Sequence, residues 1–184
     1  MSVNDDRPAA AATAVADPAP LGLAAFALTT FLLSAANAGW MGSATKDAWL
    51  GFAFGYGGLV QLLAGMWEFR NRNVFGATAF STYGGFWIGL GLWALLVAPK
   101  AASASAAEHD IAWILLAFFI FNTYMMIWST QINAAVFGVF LTLGLTELIL
   151  FIGNFAGNTS IVKIGGYVDL ITALVAWYTS AAGV

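Results

Sequence analysis

The stretch LGLAAFALTTFLLSAANAGW, residues 21–40, decides the fold because it contains no charged side chain. About 20 apolar residues, at about 1.5 Å of helix per residue, cross a hydrocarbon core of about 30 Å. Pro18 and Pro20 prevent a regular helix before Leu21 and so fix where the helix begins. The sequence therefore predicts a membrane-spanning helix over about residues 21–40.

Five more apolar runs follow, separated by short polar or charged segments, at about residues 48–69, 77–97, 111–129, 133–154 and 161–182. Backbone groups in lipid must be satisfied within their own segment, and the alternating pattern of a barrel strand is absent, so these runs are helices. We predict an all-α, polytopic membrane protein with six transmembrane helices. Residues 1–16 are predicted to be a disordered, uncleaved tail, and residues 17–184 a single transmembrane domain.

Composition excludes several classes of protein. Of the 184 residues, 61% are hydrophobic and 8% are charged, whereas roughly a quarter are charged in soluble domains. Six basic residues against nine acidic ones provide no basic stripe, so we expect no nucleic-acid binding. Without cysteine the chain has no thiol nucleophile and no cysteine-ligated metal site, and a single histidine cannot support a multi-histidine metal site. We therefore expect neither an enzyme nor a cofactor.

The distribution of basic residues bears on orientation. Six spans place both termini on one side of the membrane, and the six basic residues divide equally between the two sides. The clustering of Arg70 and Arg72 in one short loop favours the orientation in which both termini are cytoplasmic.

Small and polar residues recur at helical spacing. Three glycine pairs, Gly51 and Gly55, Gly85 and Gly89, and Gly153 and Gly157, favour close helix packing, either within the chain or between subunits. Polar residues also share helix faces, namely Thr30 with Asn37, Thr78 with Thr82, and Glu147 with Asn154. These faces make interhelical hydrogen bonds, worth about 0.6 kcal/mol per pair, or line a path for a small polar solute. Periodicity leaves both interpretations open.

Glu147 is the only charged residue between Asp110 and Lys163. An ionised acid near the bilayer centre is costly unless it is protonated, paired or hydrated, so we expect Glu147 to face the interior. It is either a protonated carboxyl that bonds a neighbouring helix or a group that carries a proton or senses substrate. Glu68 and Asp169 are expected to be boundary residues with local partners.

The start of the first span resembles a known signature. Asp17, Pro18, Ala19, Pro20, Leu21, Gly22 and Leu23 are similar to the NPAPLGL motif of the acetate uptake transporter family, the succinate-acetate permeases of the GPR1-FUN34-YaaH type. Residues 57–68, residues 73–87, residues 153–158, and Trp177 with Tyr178 resemble further parts of that family. The resemblance covers the chain from Asp17 to Tyr178.

The resemblance implies a multi-pass protein of the cell membrane with cytoplasmic termini, assembled as a homo-hexamer. Each protomer would have its own path for acetate and, in some members, for succinate or lactate. The resemblance also implies a hydrophobic constriction at Phe26, Tyr83 and Leu143, and a position that influences substrate choice at Ala176. Two residues depart from the pattern: Asp17 replaces the usual Asn, and Glu147 stands where we expect an apolar residue.

These expectations give a hypothesis for function. Acetate sheds its water against hydroxyl and amide groups and passes an apolar gate together with a proton. The candidate groups are Thr29, Thr30, Asn37, Thr78, Thr82 and Asn154, with Glu147 as the proton-coupling candidate. The alternatives are a passive channel for anions or small solutes, and a signalling or structural membrane protein that transports nothing.

Overall fold

The computed structural model describes residues 15–42 and 47–184, which form six long helices. They are α1 (Ala19–Asn37), α2 (Trp49–Arg70), α3 (Val74–Lys100), α4 (Ala104–Ser129), α5 (Ala134–Phe155) and α6 (Thr159–Ala182). Each is long and apolar enough to cross a membrane, and the described residues contain no strand. The predicted all-α, six-span architecture is confirmed. The predicted tail at residues 1–16 lies outside the described residues, except for Val15 and Ala16.

Local capping chemistry explains where helix ends differ from the prediction. The first helix begins at Ala19 rather than Leu21, because a proline is tolerated in the first turn. It ends at Asn37 rather than residue 40, and Gly39 beyond it takes a positive φ of 78°. The fourth helix begins at Ala104 rather than residue 111, because the Ser103 hydroxyl accepts a hydrogen bond from the Ala106 amide at 3.1 Å.

The earlier start of α4 corrects one expectation. His109, predicted in a loop, lies on the first turns of this helix. Asparagine caps explain two further differences, since α3 begins at Val74 after Asn73, and α6 begins at Thr159 after Asn158. The other two spans, α2 and α5, agree with their predicted bounds to within one residue.

A π-helical turn interrupts α2 at Gly55–Val60. Within it Gly57 lies against Thr29 of α1, and a Cβ at that position would come within 2.7 Å of the threonine side chain. Gly58 lies in the same way against Ile88 of α3. The two glycines therefore let α2 pack closely against both neighbours.

The helices surround a central region. The α6 helix packs against α1 and α5, α4 packs against α5, and α2 packs against α1 and α3. Aromatic rings close the remaining gap between α3 and α4: the centroids of Phe86 and Phe118 are 4.6 Å apart, and those of Tyr83 and Phe121 are 5.4 Å apart. All six helices thus surround the same interior.

The three glycine pairs serve two different purposes. Gly153 packs against Ile161 and Val162 within the chain. The other two pairs are exposed, and a Cβ at Gly51, Gly55, Gly85 or Gly89 would meet open space. Close packing inside the protomer therefore accounts for Gly153, whereas Gly157 is an exposed turn residue with a positive φ of 58°. The other two pairs leave two faces available to a partner outside the protomer.

Candidate substrate path

A cavity of about 180 Å³, which we call the wide cavity, opens beside the start of α1. Asp17, Ala19 and Leu23 line it on one side, and Gln61 and Glu68 of α2 line it on another. Asp17 is held in place by accepting a hydrogen bond from the Ala19 amide at 2.9 Å. The signature segment thus forms part of the cavity as well as the start of the helix.

The rest of the signature packs the first helix in place. Pro18 is buried, and Gly22 lies against the ring of Phe80. The Pro20 carbonyl accepts a hydrogen bond from the Ser180 hydroxyl of α6 at 2.6 Å, while Leu21 is exposed. These contacts fix the direction in which α1 enters the bundle.

Glu68 is fully buried in this wide cavity, contrary to its expected place at the boundary. Its Oε2 accepts a hydrogen bond from Asn71 Nδ2 at 3.3 Å, whereas the nearby Arg70 and Arg72 are exposed. Its other oxygen, Oε1, has no partner among the described residues. The sequence reasoning missed Glu68 as a site residue, because its position beside two arginines suggested an ion pair at the surface.

Phe26, Tyr83 and Leu143 line the inner end of the wide cavity and also line a second, smaller cavity beyond it. We call these three residues the wall. They come from α1, α3 and α5, and the exposed fractions of their side chains are 5%, 4% and 7%. The rings of Phe26 and Tyr83 meet edge to face with centroids 5.9 Å apart. The structure thus brings together the three residues that were predicted to form a constriction.

The Tyr83 hydroxyl lies between two polar side chains. Its oxygen is 3.2 Å from Asn122 Oδ1 and 3.3 Å from Glu147 Oε1. A phenol has one hydrogen to donate, so it satisfies only one of these acceptors at a time. Asn122 is itself anchored, because its Nδ2 donates to the Phe140 carbonyl at 2.9 Å. Asn122 was not predicted, although an amide in so apolar a span is the signal that could have identified it.

The second cavity, which we call the acidic cavity, has a volume of about 40 Å³. Glu147 and Asp169 both line it, together with Thr30 of α1. Asp169 Oδ2 accepts a hydrogen bond from the Ser34 hydroxyl at 2.6 Å. Asp169 was expected near water but is only 5% exposed, because α1 and α5 pack against its face of α6. Two carboxyl groups therefore share one small interior space.

Two further cavities continue toward the opposite end of the bundle. Leu33, Phe86, Leu115 and Leu150 line both the acidic cavity and the next one. Asn37 and Asn154 then line that cavity and the last one, which Lys163 also reaches. Because neighbouring cavities share lining residues, they form a series through the bundle, with the wall between the first cavity and the second.

Four predicted substrate contacts lie outside the linings of these four cavities: Thr29, Thr78, Thr82 and Ala176. Thr29 faces α2 and donates to the Ala25 carbonyl at 3.0 Å, about 100° around the helix from Thr30. Ala176 is completely buried in the core beside the wall. Thr30, Asn37 and Asn154 are the predicted hydroxyl and amide groups that do line the series.

Comparisons with known proteins agree with this architecture. The sequence profile of the GPR1/FUN34/yaaH family matches residues 3–184. Acetate permease A of Emericella nidulans is 43% identical over 92% of this chain and 61% of its own length. The succinate-acetate/proton symporter SatP of Escherichia coli K12 is 38% identical over 90% of this chain and 87% of its own length. A solved structure of "the bacterial acetate channel SatP" superposes with a TM-score of 0.83 and 33% identity, covering 91% of both chains.

The lengths of the relatives differ from that of this chain. The chain spans about three fifths of the length of its fungal relatives. It spans most of the length of the bacterial relative and of the bacterial structure.

Proposed function

The chain belongs to the GPR1/FUN34/yaaH family, and from that premise we propose that it carries acetate across a membrane. The observation that carries the proposal is the series of cavities through the bundle, interrupted by a wall of three buried apolar or aromatic side chains. The names of the relatives, an acetate permease and a succinate-acetate/proton symporter, support a small carboxylate as the substrate. Succinate and lactate are further candidates.

The wall suggests how a small carboxylate passes and a hydrated ion does not. Acetate enters either end of the series and exchanges water for hydroxyl and amide groups, with Thr30, Asn37 and Asn154 as candidates. An apolar constriction makes transfer of a bare anion costly, because charge is expensive away from water. A carboxylate accompanied by a proton is neutral, so it crosses the wall at a much lower cost.

Proton coupling is the second part of the proposal, with Glu147 as the coupling group. Its carboxyl lies directly beside the wall, within hydrogen-bond distance of the Tyr83 hydroxyl. The alternative is a passive channel of the same fold, and it is favoured by the description of the similar bacterial structure as an acetate channel. A channel equilibrates acetate, whereas a symporter accumulates it when protons are supplied on the same side.

Uptake of labelled acetate into proteoliposomes tests both parts. Undissociated acetic acid crosses lipid unaided, so initial rates above those of protein-free vesicles are the relevant measurement. We expect protein-dependent uptake that accelerates with an inward proton gradient and slows when a protonophore removes it. Uptake insensitive to the gradient supports the channel instead, and rates equal to those of empty vesicles contradict acetate transport.

Assembly as a homo-hexamer with cytoplasmic termini in the cell membrane completes the proposal. The exposed glycines of α2 and α3 support an interface with a second copy, because small residues let helix backbones approach closely. We expect Gly55→Leu and Gly89→Leu to reduce the mass of the complex in detergent, whereas the exposed control Ala181→Leu leaves it unchanged. A hexamer that survives both glycine substitutions contradicts this interface.

The absence of cysteine offers a direct test of orientation. A single cysteine at Val184 is labelled by a membrane-impermeant reagent only from the side that carries the C-terminus. We expect labelling in inverted membranes and not in intact cells.

A further inference from the structure

The acidic cavity contains more unpaired polar atoms than its size suggests. Glu147 Oε2, Asp169 Oδ1, Thr30 Oγ1 and Trp87 Nε1 all lack a hydrogen-bond partner among the described residues. Their side chains line this one cavity and are 2–5% exposed. A buried polar atom without a partner is costly, so four such atoms around one space indicate a polar occupant.

The charge of the lining residues also indicates that the cavity holds an occupant. Glu147 and Asp169 are both acidic and both line this cavity. The residues that line the cavity include no basic side chain, and every lysine, arginine and histidine within the described ranges is exposed. Two ionised carboxylates would leave two negative charges uncompensated at membrane depth, which is very costly. The cavity therefore requires a compensating positive charge, either a bound proton or a metal cation.

Trp87 favours a proton over a metal ion as the positive charge in the cavity. Its indole N–H is a donor only, so it has nothing to offer a metal cation but bonds readily to the oxygen of water. A volume of about 40 Å³ is enough for a water molecule. A water that accepts from Trp87 can donate to the free oxygens of both carboxyl groups. Water and a proton together satisfy the donors, the acceptors and the charge.

We infer that Glu147 and Asp169 form a two-carboxyl proton site, in which one exchangeable proton is shared across a buried water. This rests on the proposed function and extends it by adding a second carboxyl group and a water to the coupling residue. Loading breaks an O–H bond of a hydronium ion on one side of the membrane and forms an O–H bond on a carboxylate, leaving water behind. Unloading breaks that bond and returns the proton to water on the other side, with no change in oxidation state.

The state of this site is transmitted to the wall. The titratable groups that face Glu147 are Tyr83 from α3 and Asp169 from α6, whereas α4 and α1 present the neutral Asn122 and Thr30. A protonated Glu147 donates to the Tyr83 oxygen, and Tyr83 donates to Asn122. An ionised Glu147 draws the Tyr83 hydrogen to itself, and Asn122 Oδ1 loses its donor. Protonation therefore determines which hydrogen bond holds the central ring of the wall.

Infrared difference spectroscopy of the purified protein tests the site without any transport. We expect a carbonyl band from a protonated carboxyl at neutral pH that shifts in heavy water. Both Glu147→Gln and Asp169→Asn should change this band, because the proton is shared. Glu68→Gln, which alters the other buried acid, is the matched control and should leave the same band in place. A band that responds to only one of the two substitutions, or to neither, overturns the shared site.

A transport measurement tests its role. Exchange of labelled acetate at equal pH on both sides needs no net proton movement. The exchange rate is therefore measured first, for the wild type and for the double variant Glu147→Gln with Asp169→Asn, and the effect of a gradient is expressed relative to each protein's own exchange rate. Acceleration by an inward gradient of one pH unit, up to about tenfold in the wild type, should fall to less than twofold in this variant. Full acceleration in the double variant refutes the coupling role. If the wild type shows no exchange, acetate transport itself fails, and the infrared result still decides whether the site exists.

Discussion

Two buried glutamates lie on opposite sides of the wall, and their surroundings differ. Glu68 lines a cavity of about 180 Å³ next to the end of α2, where an asparagine amide bonds one oxygen. Glu147 lines a cavity of about 40 Å³, where its hydrogen-bond donor belongs to the wall itself. The first space has room for several waters and a substrate, whereas the second has room for little more than one water. We therefore expect the glutamate side chain to act through its charge in the wide cavity and as a proton carrier in the acidic cavity.

The comparison depends on the wall keeping the two spaces apart, so removing part of the wall should have the largest effect. We expect Leu143→Ala to join the cavities and to raise the ratio of succinate to acetate uptake by about tenfold, equivalent to roughly 1.4 kcal/mol of selectivity. Phe26→Ala should act in the same direction. The measurement is initial uptake of each labelled acid into proteoliposomes.

The exposed Leu145→Ala, two residues along the same helix, is the control and should leave the ratio unchanged. The smaller change Leu143→Val covers the case in which the alanine variant does not fold, and it should shift the ratio in the same direction. An unchanged ratio in variants that fold would remove the three residues from the gate.

Neutralising the other glutamate should have a smaller effect. At a pH at which Glu68 is ionised, its negative charge in the wide cavity repels an approaching carboxylate. Under those conditions we expect Glu68→Gln to lower the KM for acetate by about threefold, or roughly 0.6 kcal/mol. The response to a proton gradient should stay as in the wild type, because Glu68 is separated from the acidic cavity. Uptake kinetics at fixed pH and with a gradient measure the two properties separately.

The exposed Asp110→Asn removes the same charge far from the wide cavity and should leave the KM unchanged. If Glu68→Gln abolishes the gradient response, the two glutamates are not functionally distinct.

The smallest effect is expected for Tyr83→Phe, which keeps the ring and removes the hydroxyl. The ratio of succinate to acetate should stay within about twofold, because the ring still fills its place in the wall. Loss of the hydrogen bond should lower stability by about 1 kcal/mol, within the range measured for polar pairs in membrane helices. Thermal unfolding in detergent measures this, with the exposed Tyr124→Phe as the control. A tenfold change in selectivity would mean that the hydroxyl, and not the ring, is what substrates meet.

The number and order of the helices could be read from the sequence, because the requirement to span lipid leaves few alternatives for long uncharged runs. The start of α4 could not, since Glu108, His109 and Asp110 indicate a loop by their polarity. On a helix that extends beyond the hydrocarbon, such side chains simply remain in water. The bounds of a helix follow its capping residues, here Ser103, rather than the edge of its apolar part.

The candidate site was predictable to a more limited extent. Periodicity indicated that Thr30, Asn37 and Asn154 share faces with apolar residues, and these three line the cavities. It also suggested Thr78 and Thr82, which lie elsewhere, because a helix with polar groups on several sides does not reveal which side faces inward. The proximity of Glu147 and Asp169 was not visible at all. They are on different helices, and only the packing of α5 against α6 brings them to one cavity.

The π-helical turn at Gly55–Val60 bears on how the length of this chain can change. Such a turn closes its hydrogen bonds over one residue more than a regular turn, so it contains a residue that the helix can lose. Deleting one residue there should restore a regular helix and keep Gln61 and Glu68 directed at the wide cavity. The same deletion at Leu63, beyond the turn, would rotate the following residues by about 100° and turn Glu68 away from the wide cavity. Natural variants one residue shorter in α2 are therefore expected to lack the turn and to keep the cavity.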